Sequence, residues 1–328
     1  MRRAWPLSAA ALLLAGCGGG GWQSTAEPGG PVAEGLHGLF WLFVVTAGVV
    51  WLLVMLLLLL ALLRRGNSEG STRGPALVVG GAVAATVLIV TGLTVASYLT
   101  TRSIAAAAPA DALVIRLRGY QWWWEVTYDD PRPERILLSA NEIHVPVGRP
   151  VRIELNSADV IHSFWVPGLA GKQDMIPGRD NSITFTATRP GVFRGQCAEF
   201  CGLQHAHMAL HVIAEPPEQF ERWRDAQLAD AAAPMGAEEE AGQRIVEGRA
   251  CGACHTVRGT EAAGALGPDL THVGGRGYIA AGMLPVTRGS LAAWIADPQS
   301  VKPGNTMPMV PLSADELQAV SAYLVRLR

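Results

Sequence analysis

Two long apolar segments near the N-terminus constrain this chain more than any other feature. Leu39 to Leu63 is almost uninterrupted apolar sequence, and Ala76 to Leu99 is a second such run. Each is long enough to cross a bilayer core of about 30 Å as a helix. Because backbone polar groups in lipid must be satisfied within the segment, we predict two transmembrane helices, at 37–63 and 75–100.

The loop between these helices sets their orientation. Residues 64–74 are short and net basic, with Arg64, Arg65 and Arg73. Short basic loops stay in the cytoplasm, so both outer helix ends and everything after about Thr100 are expected outside it.

The first residues have the layout of a secretory signal, with two arginines followed by a short apolar run. Leu14-Ala15-Gly16-Cys17 resembles the bacterial lipoprotein cleavage box, which predicts a signal peptide at 1–17 and a lipid anchor on Cys17. An ordinary signal peptide or an uncleaved anchor is the alternative. Residues 18–36 are expected to form a flexible tether.

The middle of the chain has the pattern of an all-β domain. Residues 113–118, 148–155 and 181–187 alternate apolar and polar side chains between turn-forming clusters. This pattern predicts a small sandwich or barrel at 110–215. A linker is expected at 216–240, followed by a helical domain at 241–328, in which Ser313 and Glu316 form a capping box.

Charge and cysteine content narrow the function. The formal net charge is −2, which gives no indication of a nucleic-acid partner. The chain has five cysteines: Cys17, one pair at 197 and 201, and one pair at 251 and 254. Each can be assigned to lipid, metal or haem, so none is left for a structural disulfide.

A segment rich in soft ligands predicts a copper site. Cys197 and Cys201 are followed by His205 and Met208, and sulfur beside imidazole favours copper. Two thiolates at this spacing could both bridge a pair of copper ions, although a disulfide is the alternative. One further ligand must come from elsewhere, and His162 is the best candidate.

A second motif predicts a covalently attached haem. Cys251-Gly-Ala-Cys254-His255 has the spacing of c-type haem attachment, with His255 as an axial ligand. A zinc or thioredoxin-like site is the alternative. The distant sixth ligand should be a methionine: Met307 first, then Met309 and Met283.

Together these motifs resemble cytochrome c oxidase subunit II fused to a class I cytochrome c domain. The resemblance implies a multidomain fold: a two-helix transmembrane hairpin, an all-β cupredoxin-like sandwich and an all-α cytochrome c domain. It implies a dinuclear copper A centre held by His162, Cys197, the Glu199 carbonyl, Cys201, His205 and Met208.

The same resemblance assigns further roles. It places the Glu199 side chain near a magnesium ion shared with subunit I, and Trp122 of the Gln121–Trp124 stretch over the copper, where it assists electron transfer. Residues 302–308 resemble the methionine loop of class I cytochromes c. The carbonyl of Pro268 is expected to accept a hydrogen bond from His255.

The function implied is electron transfer from a cytochrome c donor through haem c and copper A to subunit I, which reduces oxygen to water with proton translocation. Subunits I and III and the bacterial inner membrane are the expected partners, with both redox domains on the periplasmic side. The glutamate that many relatives carry at the start of helix two has no counterpart here, where Glu69 lies only in the preceding loop. Two alternatives are the electron-accepting subunit of a copper A nitric-oxide reductase, and a stand-alone membrane-tethered electron carrier or copper-delivery protein.

Overall fold

The computed structural model describes residues 21–64, 73–105 and 108–328. The chain divides into two compact units, one made of residues 32–107 and the other of residues 108–328 with the segment that precedes the first helix. The predicted signal peptide, Cys17 and most of the loop at 64–74 lie outside the described residues.

The first unit consists of two helices, α1 (Pro31–Leu63) and α2 (Arg73–Ile104). Both are long and apolar enough to cross a membrane, and their apolar side chains are exposed rather than buried in a protein core. A Cβ at Gly35 would lie 3.7 Å from Thr100 Cγ2, so the start of α1 lies beside the end of α2. The helices are therefore antiparallel, as the hairpin prediction requires.

Both helices extend beyond the predicted limits. The first begins at Pro31 rather than 37, because proline is well suited to the first helical position, where its missing N–H costs nothing. At about 1.5 Å per residue, 33 residues make a helix of about 50 Å, longer than a bilayer core.

In the second unit, ten strands lie between residues 113 and 215. They are β1 (Leu113–Tyr120), β2 (Trp123–Tyr128), β3 (Leu137–Ala140), β4 (Glu142–Pro146), β5 (Val151–Ser157), β6 (His162–Trp165), β7 (Lys172–Met175), β8 (Asn181–Phe185), β9 (Gly191–Gln196) and β10 (Ala209–Glu215). The strands predicted from alternation are confirmed as β1, β5 and β8.

These strands form a β-sandwich. One sheet has the order β3-β2-β1-β5-β8, a second has β4-β10-β9, and β6 pairs with β7. Strand β1 buries alternate residues, such as Ile115 and Leu117, while Arg116 and Arg118 are exposed. The five-stranded sheet thus faces the core on one side, which confirms the all-β prediction.

The segment before α1 is not the flexible tether predicted at 18–36. The amide of Gly29 donates to Gly168 O at 2.7 Å, and Thr188 donates to Gly29 O at 2.8 Å. The amide of Arg194 donates to Trp22 O at 2.7 Å. These backbone bonds hold residues 22–29 against the sandwich, an outcome that glycine-rich composition alone does not reveal.

The predicted linker at 216–240 is also more structured than expected. Helix α3 (Pro217–Leu228) buries Phe220, and helix α4 (Ala237–Gly248) begins before the predicted boundary at 241. Arg224 donates to Asp130 at 2.7 Å. The apolar face of α3 therefore docks on the sandwich, and only residues 229–236 connect the two helices.

The C-terminal domain is mainly helical. After α4 come α5 (Cys251–Cys254), the short strands β11 (Tyr278–Ile279) and β12 (Leu284–Pro285), then α6 (Arg288–Ala296), α7 (Pro298–Val301) and α8 (Ala314–Arg326). Helices α4 and α8 cross closely at Gly242, where a Cβ would lie 2.1 Å from Ala319 O. The capping box of α8 is confirmed, with both the Ser313 and Glu316 bonds present.

Candidate copper centre and haem site

The loop between β9 and β10 carries five of the six predicted copper ligands, and His162 is the exception. Cys197 directly follows β9, and Met208 directly precedes β10. The amide of Cys197 donates to Met208 O at 3.0 Å, and Gln196 pairs with Ala209. Because the antiparallel strands hold both ends of the loop, its ligands are positioned by the sandwich rather than by the loop alone.

Five side chains converge at this loop: four belong to the loop, and His162 comes from another part of the chain. The Sγ atoms of Cys197 and Cys201 are 3.7 Å apart, which excludes a disulfide of about 2.05 Å in this structure. The remaining distances join Cys197 Sγ to His162 Nδ1 (3.9 Å), Cys201 Sγ to His205 Nδ1 (3.7 Å) and Cys201 Sγ to Met208 Sδ (3.9 Å). Each sulfur thus has its own imidazole, an arrangement that suits two soft metal ions sharing two thiolates.

His162 comes from a separate part of the chain. It begins β6 and is fully buried, and the amide of Ala198 donates to Ser163 O at 3.0 Å. Its Nε2 lies 2.8 Å from Asp159 Oδ1, so Nδ1 faces the sulfurs. A carboxylate on the far ring nitrogen orients an imidazole and raises its basicity as a ligand.

The pKa values of Cys197, Cys201 and His162 reflect how closely these side chains pack. Hydrogen bonding from Cys201 lowers the pKa of the Cys197 thiol, and the same contact raises the pKa of Cys201. Burial opposes a charge on His162, but its contacts with Cys197 and Asp159 outweigh burial and raise its pKa. The contact between the two sulfurs thus favours the thiolate at Cys197, the form of cysteine that binds metal.

The aromatic stretch lies directly on the ligand loop. The Trp122 indole N–H donates to Cys201 O at 2.9 Å, and Gln121 Nε2 donates to the same oxygen at 2.8 Å. The Gln121 amide donates to Asp159 Oδ2 at 2.7 Å. Trp122, Cys201 and His162 are therefore connected through hydrogen bonds and one shared carboxylate.

Glu199 is placed differently for its two predicted roles. Its backbone carbonyl lies 3.2 Å from Cys197 Sγ, inside the cluster. Its carboxylate points outward and pairs with Lys172 Nζ at 3.0 Å. Among the described residues, His162, Cys197 and Cys201 form the only group of three or more potential metal-ligating His, Cys or acidic side chains, and the Glu199 carboxylate is not part of it.

The predicted haem-attachment residues form a short helical turn, α5, followed by His255. His255 Nδ1 lies 2.7 Å from Pro268 O, which confirms the predicted hydrogen bond. A Cβ at Gly267 would lie only 2.5 Å from His255 Cε1. Burial lowers the pKa of His255 and so favours the neutral imidazole, the form that binds iron.

The fit to a haem is supported by the core of this domain. Several apolar side chains pack against the buried core and are themselves only partly buried, among them Leu270, Leu284, Trp294 and Met307. Met309, the second choice for the axial ligand, is 63% exposed, whereas Met307 packs against the core. Met283 lies in the turn between β11 and β12.

Sequence reasoning missed several residues at the site. Asp159, Gln121 and Gln204 were not singled out, and neither was Lys302, although it lies in the predicted methionine loop. His211 is another: it is 3% exposed and stacks on Tyr278 with ring centroids 4.7 Å apart. That stacking joins the sandwich to the C-terminal domain, so its role follows from domain packing.

Comparisons with known proteins match both halves of this site. Residues 130–215 match the family described as cytochrome C oxidase subunit II, periplasmic domain, and residues 239–328 match the cytochrome c family. A crystal structure of the periplasmic domain of subunit II of cytochrome oxidase (CoxB) from Bradyrhizobium japonicum is 32% identical, covers 37% of this chain and 96% of that one, and gives a TM-score of 0.35.

Full-length relatives show the same domain content. The cytochrome c oxidase subunit 2 of Alkalihalophilus pseudofirmus is 33% identical over 98% of this chain and 96% of its own length. The corresponding protein of Bacillus sp. (strain PS3) is 32% identical over 97% of this chain and 95% of its own. The chain therefore belongs to the cytochrome c oxidase subunit 2 family and carries a C-terminal cytochrome c domain.

Proposed function

We propose that this chain accepts electrons from a cytochrome c-type donor and delivers them to subunit I of a haem-copper oxidase, where oxygen is reduced to water. Family membership implies one copper A centre, one haem c, a partner subunit I and an inner-membrane location. When bound, the copper pair and the haem would supply reversible one-electron chemistry. The observation that carries the proposal is the convergence of Cys197 and Cys201 at 3.7 Å, each with an imidazole.

The ligand set proposed for the two copper ions is the one predicted from sequence: His162, Cys197, Glu199 through its carbonyl, Cys201, His205 and Met208. Cys197, Cys201 and Met208 are each at most 2% exposed, so water is excluded from the sulfurs. The strands on both sides restrict movement of the ligands when the charge of the site changes. Little reorganisation is what rapid electron transfer requires.

The proposed haem ligation uses thioether bonds from Cys251 and Cys254, with His255 and Met307 as axial ligands. Pro268 O holds the His255 ring in one orientation through Nδ1, which leaves Nε2 for iron. The Met307 amide donates to Asn305 Oδ1 at 2.8 Å, which restricts the loop that carries the second axial ligand.

Trp122 is proposed to assist electron transfer into the copper centre. Its indole N–H contacts the carbonyl of Cys201, one residue of the proposed copper cage. It is 7% exposed, and its ring lies against the turn at Gly304 in the C-terminal domain. It therefore lies between the methionine loop and the copper loop.

Three finer points complete the proposal. Glu199 would provide a carboxylate to a magnesium ion shared with subunit I by exchanging its contact with Lys172. Subunit III would be a further partner in the assembled oxidase, and oxygen reduction by that complex would be coupled to proton translocation. Cys17 would carry the lipid anchor.

Metal and haem analysis tests the proposal directly. The purified chain should contain two copper ions and one iron, and electron paramagnetic resonance should show a mixed-valence pair. The assembled complex should consume oxygen with reduced cytochrome c as donor. A single isolated cupric ion would contradict the paired site, and reduction of nitric oxide without oxygen consumption would favour the reductase alternative.

A further inference from the structure

Lys302 is a buried cation that neither redox motif accounts for. It is 2% exposed and lies between the C-terminal domain and the sandwich. Its Nζ donates to Trp122 O at 2.7 Å, His207 O at 2.8 Å and Ala280 O at 3.1 Å. An ammonium has three N–H donors, and all three are used.

These acceptors connect two domains. Trp122 and His207 belong to the copper domain, whereas Ala280 belongs to the C-terminal domain. Among the described residues no carboxylate is paired with Lys302, and burial lowers its pKa to about 7 against an opposing effect of the Cys201 sulfur. Burying a cation among backbone carbonyls is costly unless the geometry is well matched. If the side chain at position 302 only filled space, an apolar side chain would serve as well. The buried amine of Lys302 is therefore better explained by a positioning role.

Lys302 is also tied to the proposed axial ligand. Asn305 Nδ2 donates to Lys302 O at 2.7 Å, and Asn305 Oδ1 accepts from the Met307 amide at 2.8 Å. The segment from Lys302 to Met307 is therefore a closed, internally bonded loop. These internal bonds hold the loop that carries Met307 together, while the Lys302 ammonium attaches the loop to the copper domain.

The same loop covers the Trp122 ring. A Cβ at Gly304 would lie 3.5 Å from Trp122 Cη2 and 3.3 Å from Leu203 Cδ1. Gln204 Nε2 donates to Pro303 O at 2.8 Å. The chain's own methionine loop therefore covers this edge of the Trp122 ring, and the residue is 7% exposed.

Two further contacts join the same two domains. The buried Glu142 Oε1 accepts from the Gly277 amide at 2.6 Å, and the Ala209 amide donates to Ala281 O at 3.0 Å. Since strand β4 supplies Glu142 and strand β10 supplies Ala209, the C-terminal domain rests on the rigid part of the sandwich.

We propose that Lys302 is a positioning residue that holds the methionine loop against Trp122, so that the cytochrome c domain covers the copper domain and electrons reach copper through the chain's own haem. The electron route in this proposal rests on the proposed function, whereas the position of Lys302 follows from its contacts alone.

Amine labelling of the wild-type chain tests the position alone. The sequence has two lysines, Lys172 and Lys302, and the Lys172 side chain is 48% exposed. With acetic anhydride at neutral pH, mass spectrometry should show Lys172 modified quickly and Lys302 only after unfolding. A lowered pKa leaves more of an amine unprotonated and reactive, so a solvent-accessible Lys302 would be labelled quickly. Slow labelling of Lys302 would therefore show that its amine is buried. Equal modification of both lysines in the folded protein would overturn the proposal.

Flash photoreduction of the haem in the purified oxidase tests the positioning role. Lys302→Met removes the three donors but keeps the stem, and we expect haem-to-copper electron transfer to slow by at least about tenfold. Both midpoint potentials and the haem and copper spectra should stay unchanged, and Lys302→Arg should recover part of the rate. The matched control is Arg244→Met, which removes a cation 69% exposed on the same domain.

The outcomes separate the two proposals. Absence of haem-to-copper transfer in the wild-type enzyme would contradict the proposed function. Normal transfer in both wild type and Lys302→Met would overturn only the role of Lys302. If Lys302→Met fails to bind haem, the rate in Lys302→Arg and the labelling of the wild-type chain decide the question.

Discussion

The indole N–H of Trp122 donates a 2.9 Å hydrogen bond to the backbone carbonyl of Cys201. This bond joins the aromatic stretch after β1 to the loop after β9, across 79 residues of sequence. It places a large π system directly on the proposed copper cage. The electron-transfer role suggested by the family resemblance thus has a defined contact that can be tested.

Cys201→Ser should abolish the mixed-valence copper signal while the haem spectrum persists. Serine removes one of the two sulfurs that lie 3.7 Å apart, and an alcohol is a poor ligand for soft copper. Electron paramagnetic resonance and copper analysis provide the measurement. A surviving signal from a copper pair would show that Cys201 is not a shared ligand.

Asp159→Asn should weaken copper binding by about 10- to 100-fold, the usual effect of losing an outer partner of a metal-binding histidine. The carboxylate holds His162 at 2.8 Å and also accepts from the Gln121 amide. Competition with a copper chelator measures the affinity. Asp180→Asn is the control, because Asp180 accepts a hydrogen bond from Asn156 at the surface of the sandwich. Equal affinities for the two variants would argue against the role of Asp159.

Met307→Ala should leave the haem attached but lower its midpoint potential by at least about 0.1 V, a modest part of the roughly 0.8 V that axial ligands span. Loss of a thioether ligand removes stabilisation of the reduced iron. Redox titration of the purified chain measures this shift. Met309→Ala is the control, since Met309 is 63% exposed. A lowered midpoint potential in Met309→Ala but not in Met307→Ala would show that Met309, rather than Met307, is the axial ligand.

Gly267→Ala should disturb the axial histidine, because the new Cβ would lie 2.5 Å from His255 Cε1. We expect a loss of stability of about 1–3 kcal/mol, as for other overpacked sites, and less haem incorporated per chain. Denaturation curves and haem content test both. Gly289→Ala is the control, since a Cβ there meets nothing within 4 Å. Haem content equal to that of the control would contradict the close contact.

His211 should make the chain less stable in acid. Burial lowers the pKa of His211 from 6.5 to about 4, with a further contribution from Arg194. Between these pH values the unfolded imidazole binds a proton that the folded one does not, so the free energy of unfolding should rise with pH from about 4 to 6.5 and then level off. The full effect of this group is about 3 kcal/mol.

Chemical denaturation at several pH values, followed by tryptophan fluorescence, measures this dependence. His211→Phe keeps an aromatic ring against Tyr278 and should flatten the curve between pH 4 and 6.5. His207→Gln, which changes an exposed imidazole, should keep the wild-type slope. The same slope in His211→Phe as in wild type would show that other groups control acid stability.

The candidate ligands could be proposed from the sequence because their chemistry is encoded in local spacing, and the structure brings the proposed copper ligands together. Cys197, Cys201, His205 and Met208 fall within one loop, and Cys251, Cys254 and His255 within one turn. His162 was also predicted from sequence, with help from the family resemblance. The pattern of alternating apolar residues likewise predicted β1, β5 and β8, since period-two burial is a local property.

Residues that act across domains could not be predicted in this way. Gln204 and His211 acquire their roles from contacts with Pro303 and Tyr278, which belong to the C-terminal domain. The ordered segment at 22–29 depends on backbone bonds to β-sandwich residues far along the sequence. Composition suggested flexibility there because it does not record which partners are near.

The sequence by itself determined the two apolar helices, the candidate soft ligands and the Cys-x-x-Cys-His motif, because each depends on residue type at short spacing. Only the tertiary structure decided that Lys302 donates to carbonyls of both redox domains and that the methionine loop lies on Trp122. Backbone carbonyls are present at every residue, so their convergence on one ammonium leaves no trace in the sequence and arises only when the domains pack together.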